Sequence, residues 1–393
     1  MKKNIPWVNR SIIYNDKEID AVVDAMNNAT PLTQGKYLDL FEHSFKSYLP
    51  VNHAFAVSNG SNALDLSAML LNVRKGDEIL IPAHTWCATA ISFARLGAKI
   101  VWVDINPETF VMDLETIERA VTSKTKALVV VHLYGLMCPM DDIVDFCRSR
   151  DIAIIEDCAQ SLGSKIGGRN CGTYADISIF SFHANKNFTT LGEGGMITVN
   201  SDKYAKEIYL LRHNGVDAFE TDGDFYWKPA MSNITYTDKG IWPFNFSIGE
   251  VQCAVGYKLM ERIDDLNDKR NNRANKFINA LENIDVFKFQ KIPKNYYSAY
   301  HCLVAYYDKQ KSDISRDKFM LHLWKKYGVQ TIVQNCPLYR YPLFIENGLG
   351  DHNCPNTEEY FDNMISFPFY VWMPNDLFDY MIDSVLNTFR DLN

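Results

Sequence analysis

The chain has 393 residues, 47% of them hydrophobic and 22% charged, an ordinary globular composition with enough length for a large core and two domains. Its formal net charge of −8 argues against nucleic acid or an anionic membrane surface as the main partner. The nine cysteines are scattered singly from Cys87 to Cys354 with no C-x-x-C pair, which fits reduced thiols better than a disulfide framework and gives no reason to expect a metal. Met1 to Trp7 opens like a signal peptide, but no apolar core follows it and no apolar run is long enough to span a bilayer, so a cytoplasmic location is expected.

An arm leads into two helical patterns, Ile19-Val22-Val23-Met26 and Tyr37-Leu38-Phe41-Phe45-Leu49, separated by the Gln34-Gly35 break. A strand–helix alternation then sets in. Short apolar runs at 54–57, 78–82, 99–103, 126–132, 152–156, 177–181 and 195–199 read as strands. Between them, 63–71, 88–96, 114–121 and 140–148 read as helices, and 204–213 follows as another. Such an alternation implies a parallel or mixed sheet covered on both faces. The segment 214–242 is irregular, aromatic and long for a plain connection. A long helical pattern runs from about 248 to 281, and beyond it lie a strand-like run at 299–307, a helix near 316–327 and two C-terminal helices. The expected division is 1–255 for the arm and large domain, and 256–393 for a smaller α+β domain.

In sheets of this kind ligands bind beyond the carboxyl ends of the strands. The polar candidates fall there: Ser58–Gly60, His84–Trp86, His132, Asp157–Gln160 and Ser181–Lys186. Lys186 lies between an apolar strand and the turn Gly192-Glu-Gly-Gly195, and reads either as a surface charge or as an amine that forms a Schiff base with a carbonyl cofactor. Asp157, directly after a strand, suits a helix cap or a carboxylate that holds a protonated ring nitrogen. Gln160, three residues on, would reach the same side and donate to a phenolate oxygen. Ser58-Asn-Gly-Ser-Asn62 is a strand–turn–helix junction whose N–H groups either cap a helix or bind phosphate. Trp86 suits the core or a stacking contact with a flat ring. His132 and His183 read as hydrogen-bonded structural histidines or as general acid–base groups. No metalloprotease, EF-hand, Walker or serine-hydrolase motif occurs. Lysine, aspartate, aromatic and Ser/Gly turn together are the parts that pyridoxal 5'-phosphate needs.

These motifs resemble the DegT/StrS-type sugar aminotransferases. The similarity runs through Ser58–Leu64, Pro82-Ala-His-Thr-Trp-Cys-Ala-Thr89, Val131-His-Leu-Tyr-Gly135, Glu156-Asp-Cys-Ala-Gln160, Ser181-Phe-His-Ala-Asn-Lys186, Gly192–Gly195, Asn245–Gln252 and Pro355–Pro368. It implies the fold-type I architecture: a three-layer α/β/α domain with a mostly parallel seven-stranded sheet, plus a smaller C-terminal α+β domain. It also implies that Lys186 carries the cofactor and moves the proton, with pyridoxamine phosphate as the intermediate form, and that Asp157 pairs with the pyridine nitrogen. Gln160 would approach the ring hydroxyl and Trp86 stack on the ring. Gly60, Ser61, Asn62 and Ser181 would hold the phosphate, joined by Asn245 from the neighbouring subunit of a homodimer. His183 and Tyr339 would face the substrate. Three features depart from the family pattern: Asn245-Phe246-Ser247 stands where many members have Asn-Tyr-Arg, Gln334–Tyr339 lacks histidines common there, and the 214–242 loop is longer than in many relatives. The resemblance implies transamination, with glutamate as donor, of a nucleotide-linked 3-keto or 4-keto deoxy sugar, in amino-sugar biosynthesis for lipopolysaccharide, O-antigen or another surface glycoconjugate. A cyclitol or other cyclic ketone as acceptor, or a non-catalytic sugar-binding regulator on the same fold, are the alternatives.

Overall fold

A computed structural model of the chain describes residues 2–9, 11–217, 233–238 and 240–392. Seven strands make the central sheet: β1 (His53–Val57), β2 (Glu78–Pro82), β3 (Lys99–Val103), β4 (Thr125–Val131), β5 (Ala153–Asp157), β6 (Ile177–Ser181) and β7 (Gly195–Val199). Their spatial order is β1-β7-β6-β5-β4-β2-β3. All neighbours from β6 to β3 are parallel, and β7 alone runs against both of its neighbours. Strands β2 and β7 are buried along their whole length, which is why they read as unbroken apolar runs rather than alternating ones. Helices α1 (Asp16–Asn28) and α2 (Lys36–Tyr48) precede the sheet. The connections carry α3 (Gly60–Leu70), α4 (Ala88–Ala94), α5 (Leu114–Ala120) and α6 (Met140–Arg148), and α7 (Asp202–Leu211) follows β7. The expected three-layer α/β/α architecture and mostly parallel seven-stranded sheet are present.

The helical stretch expected from 248 to 281 is broken in two, α8 (Glu250–Leu259) and α9 (Ile263–Ala280), joined by a 3-10 turn over Met260–Arg262. At the break Arg262 leaves helical geometry (φ −132°, ψ 17°) and its guanidinium forks onto the buried Glu18 carboxylate of α1 at 2.5 and 2.8 Å. The strand expected at 299–307 forms only over Leu303–Tyr307, the middle of a small antiparallel sheet with Phe287–Phe289 and Met364–Phe367. Its first half is taken by the large domain instead. His301 N–H donates to the Tyr134 carbonyl (2.8 Å) and Ala299 N–H to that of Gly135 (3.2 Å).

The apolar packing does not divide at 255/256. Ile5 belongs to the smaller core, and Leu338, Phe344, Tyr360 and Met364 belong to the larger one. Helix α9 serves both, with Ile263 and Leu266 in the larger core and Ala274 and Phe277 in the smaller. Contacts made across hundreds of residues leave no mark on local composition. Part of the irregular 214–242 segment lies outside the described residues. Among the described residues no helix is long and apolar enough to cross a membrane.

Gly135 is where the two units are fastened. Its φ is +99°, and a Cβ there would stand 2.6 Å from the Tyr300 amide nitrogen, while its carbonyl also accepts from the hydroxyls of Ser164 (2.7 Å) and Ser298 (3.0 Å). Gly135→Ala should therefore cost about 2–4 kcal/mol, read as a lowered urea midpoint. An unchanged midpoint would mean that this contact does not hold the 298–301 segment.

Candidate active site

The carboxyl ends of β2, β4, β5 and β6 open on one side of the sheet, together with the N-terminus of α3. In the sheet Gly195 lies between Val57 and Ser181 in register. A Cβ on Gly195 would stand 2.5 Å from the Asn59 carbonyl carbon, and one on Gly60 would stand 2.8 Å from Ser181 Cβ. Only glycines let the α3 N-terminus and the end of β6 meet this closely. Asn59 caps α3 by accepting from Asn62 N–H (2.9 Å), and the amide of Asn62 donates to Ser58 Oγ (2.6 Å). The N–H groups of Gly60 and Ser61, in the first turn, have no intrahelical acceptor, and the Ser181 hydroxyl stands beside them. A Ser/Gly turn, a free helix N-terminus and a hydroxyl make a cradle for a phosphate dianion.

Asp157 ends β5 and is only 4% exposed. One carboxylate oxygen accepts from Ala159 N–H (3.1 Å) and the other from the Thr89 hydroxyl (3.1 Å). Burial pushes its carboxyl above the usual carboxylate range, opposed only in part by those donors and by the charge of Lys186. Burial likewise pushes the Lys186 amine below the usual lysine range, against the pull of Asp157 and Cys302. Among the described residues no hydrogen bond or ion pair holds the Lys186 ammonium. A desolvated lysine with a lowered pKa keeps more of its neutral, nucleophilic form. A buried carboxylate lacking a cation in contact is suited to a protonated ring nitrogen.

Thr89 lies in the first turn of α4, whose start is fixed by the bond from its N–H to the Trp86 carbonyl (3.1 Å). The same turn carries Trp86, which is 64% exposed and presents a bare aromatic face. Gln160 accepts from Tyr134 N–H through Oε1 (2.7 Å). An N–H can only donate, so the amide is oriented with its NH₂ group left for another acceptor. The positive φ of Tyr134 (63°) lets its N–H reach Gln160 while its hydroxyl meets His84 Nε2 at 2.7 Å. Burial pushes His84 down to about 3, so it is neutral.

His132 and Glu156 are fully buried and paired at 2.9 Å. His132 Nδ1 accepts from Cys138 N–H (3.2 Å), which places its proton on Nε2, facing Glu156. Burial raises the Glu156 carboxyl, but His132 and the N–H groups of Gly172 and Tyr174 outweigh it and hold it below its ordinary value. Cys158 lies near enough to make a metal-like trio with these two. The histidine and the carboxylate have already spent their coordinating atoms on protein donors, so the pair is a structural strut.

The structure brings Gly60, Ser61, Asn62, Trp86, Asp157, Gln160, Ser181 and Lys186 to one end of the sheet. His183 is half-exposed between Ser181 and Lys186, its Nδ1 accepting from Asn185 N–H (3.2 Å). Asn245 is at the chain's exposed surface, its Oδ1 taken by Ser247 N–H (3.0 Å). Tyr339 is turned into the core in the single chain. It is 1% exposed, stacked on His352 at 3.7 Å and set edge-on to Trp102 of β3, because the short turn Leu338–Arg340 points its ring into the core. Thr89 and Tyr134 lie within motifs that are legible in the sequence, but nothing local marks them as the groups that position Asp157 and Gln160.

The family model described as the DegT/DnrJ/EryC1/StrS aminotransferase family matches residues 13–386. The GDP-perosamine synthase of Escherichia coli O157:H7 is 29% identical over 392 residues, covering 99% of this chain and 100% of the relative. The dTDP-3-amino-3,4,6-trideoxy-alpha-D-glucose transaminase of Micromonospora megalomicea subsp. nigra is 28% identical over 378 residues, 95% and 96% of the two chains. Among solved structures, the Helicobacter pylori aminotransferase PseC, involved in the biosynthesis of pseudoaminic acid, superposes with a TM-score of 0.87 at 23% identity over 99% of this chain and 100% of that one.

Asp157→Asn tests the buried carboxyl. A carboxyl whose folded-state pKa is raised is no penalty below the unfolded value, near ~3.9. Its cost accrues as pH rises through that value and is complete above the folded pKa. The amide removes it, and the Thr89 hydroxyl can turn to accept from the new NH₂. In the cofactor-free protein the variant should melt a few degrees higher at pH 7, by about 2–4 °C, with the gain shrinking toward pH 4. A loss of stability at pH 7 would show that Asp157 is already well satisfied.

Proposed function

The chain belongs to the DegT/DnrJ/EryC1/StrS aminotransferase family, and we propose that it is the pyridoxal phosphate-dependent enzyme that transfers an amino group from a glutamate-type donor to the keto carbon of a nucleotide-linked deoxy sugar. The observation that carries this reading is a half-buried Lys186 whose amine has no hydrogen-bond or ion-pair partner among the described residues, at the same end of the sheet as a buried Asp157 with no cation in contact. When bound, pyridoxal phosphate supplies a carbonyl for amine exchange and a protonated ring that draws electrons from the α-carbon of the substrate.

The residues divide that work. Lys186 Nζ would hold the cofactor at its carbonyl carbon and, as a neutral amine, would carry the proton to and from the reacting carbon. Asp157 would keep the proton on the ring nitrogen, its carboxylate aimed by Thr89 and Ala159. Gln160 would donate its NH₂ to the ring oxygen. Trp86 would stack on the ring and keep water from it. Gly60, Ser61, Asn62 and Ser181 would bind the phosphate. His183, half-exposed beside Lys186, meets the sugar. Asn245, exposed in the single chain, serves the phosphate of a second copy in a homodimer with shared active sites.

The sugar assignment is supported by the names of the two curated relatives, each a nucleotide-linked sugar. We read the protein's role as amino-sugar synthesis for a surface glycoconjugate such as lipopolysaccharide O-antigen. All nine cysteines are free, which agrees with a reducing cytoplasm. Two measurements test the proposal. Holoprotein given glutamate and a panel of nucleotide-linked 3-keto and 4-keto sugars should aminate one class; amination of keto cyclitols instead would redirect the reading. Lys186→Ala should lose the visible absorbance of lysine-bound cofactor and slow turnover by at least ~10³-fold, while its thermal midpoint stays within a few degrees. Turnover at the wild-type rate would remove Lys186 from the mechanism.

A further inference from the structure

Beside Lys186 lies a second feature that the cofactor does not use. Arg270 of α9 is 4% exposed, yet no carboxylate among the described residues pairs with it. Its Nε donates to the Tyr300 carbonyl (3.0 Å) and its Nη2 to the His301 carbonyl (2.7 Å). The ring of Phe369 lies 4.6 Å from the guanidinium carbon. Among the described residues Nη1 has no hydrogen-bond partner, and the side chain lines a cavity of about 60 Å³ together with Asn185, His301, Cys302, Ser366 and Phe369. That is several times the ~10–15 Å³ that one water needs, and far too little for a nucleotide.

The cavity lies against the segment that carries the reacting amine. Asn185 precedes Lys186, and Asn187 follows it, with its amide donating to the Ala299 carbonyl (2.9 Å) and its oxygen 3.3 Å from His301 Nδ1. Burial, with the charges of Lys186 and Arg270, holds His301 well below the ordinary histidine value, so the positive charge on this wall belongs to Arg270. Two carbonyls fix the guanidinium plane, an aromatic ring covers one face, and an edge is left toward the cavity. That is the presentation a carboxylate takes in a charge-assisted contact.

Resting on the transaminase reading, we infer that Arg270 binds the α-carboxylate of the amino donor and so selects amino acids over simple amines at the donor step. Its contacts to residues 300 and 301 come from the segment that Gly135 fastens to the large domain, so the subsite is built at the junction of the two cores.

The test compares wild type with Arg270→Lys. In holoprotein, the concentration of glutamate that half-saturates the donor half-reaction should rise roughly 30-fold or more. The half-reaction with an amine lacking a carboxylate, such as sec-butylamine, should change less than about threefold. Unaltered half-saturation by glutamate, or equal losses with both amines, would overturn the assignment. A second arm needs no turnover: glutarate should raise the thermal midpoint of the cofactor-free wild-type protein and leave that of Arg270→Lys unmoved. Absence of any glutarate effect on wild type would overturn the assignment even if the lysine variant fails to fold. A wild-type protein that binds glutarate through Arg270 but exchanges no amine would sink the transaminase reading, and the donor role with it, while leaving Arg270 as a carboxylate subsite.

Discussion

Two groups of opposite charge, the buried Asp157 and the half-buried Lys186, lie at the same end of one sheet, and among the described residues neither has a counter-charge in contact. Burying a charge without a close counter-charge is among the most destabilising things a fold can do. Here burial raises the acid and lowers the base, so each is driven toward its neutral form. The chain tolerates that because the surrounding sheet is large and buried on both faces, and because a bound cofactor with a ring nitrogen and a carbonyl would relieve both groups together. The stability withheld at this site is what makes it a site.

The neighbouring pair shows the contrast. His132 and Glu156 are buried more completely, yet every polar atom that could coordinate a ligand is committed to a protein donor or acceptor. One strand therefore ends in two successive carboxylates with opposite fates. Glu156 is pinned to the interior face, and Asp157, one residue on and pointing the other way, is left for a ligand. The alternation of side chains along a strand makes that division.

Much of this was legible in the sequence because it depends on local pattern. Apolar runs marked all seven strands of the large sheet within a residue or two, and the polar residues at their carboxyl ends marked the site. What was not legible depends on distant contacts. The break at Arg262 follows from a salt bridge to Glu18, 244 positions earlier. The strand expected from 299 loses its first half because Tyr134 and Gly135 take those N–H groups. Tyr339 reads as a ligand contact in a linear motif, but a short turn sends it into the core. Arg270 lies in a helical pattern where nothing local marks it, and only the fold shows it buried with no carboxylate paired to it among the described residues.

The central claim is that Lys186 is the amine that holds the cofactor. Borohydride reduction of the pyridoxal phosphate-loaded protein followed by peptide mass mapping tests it directly. The account predicts one phosphopyridoxyl adduct per chain, on the peptide containing Lys186. An adduct on another lysine, or none at stoichiometric loading, would contradict it.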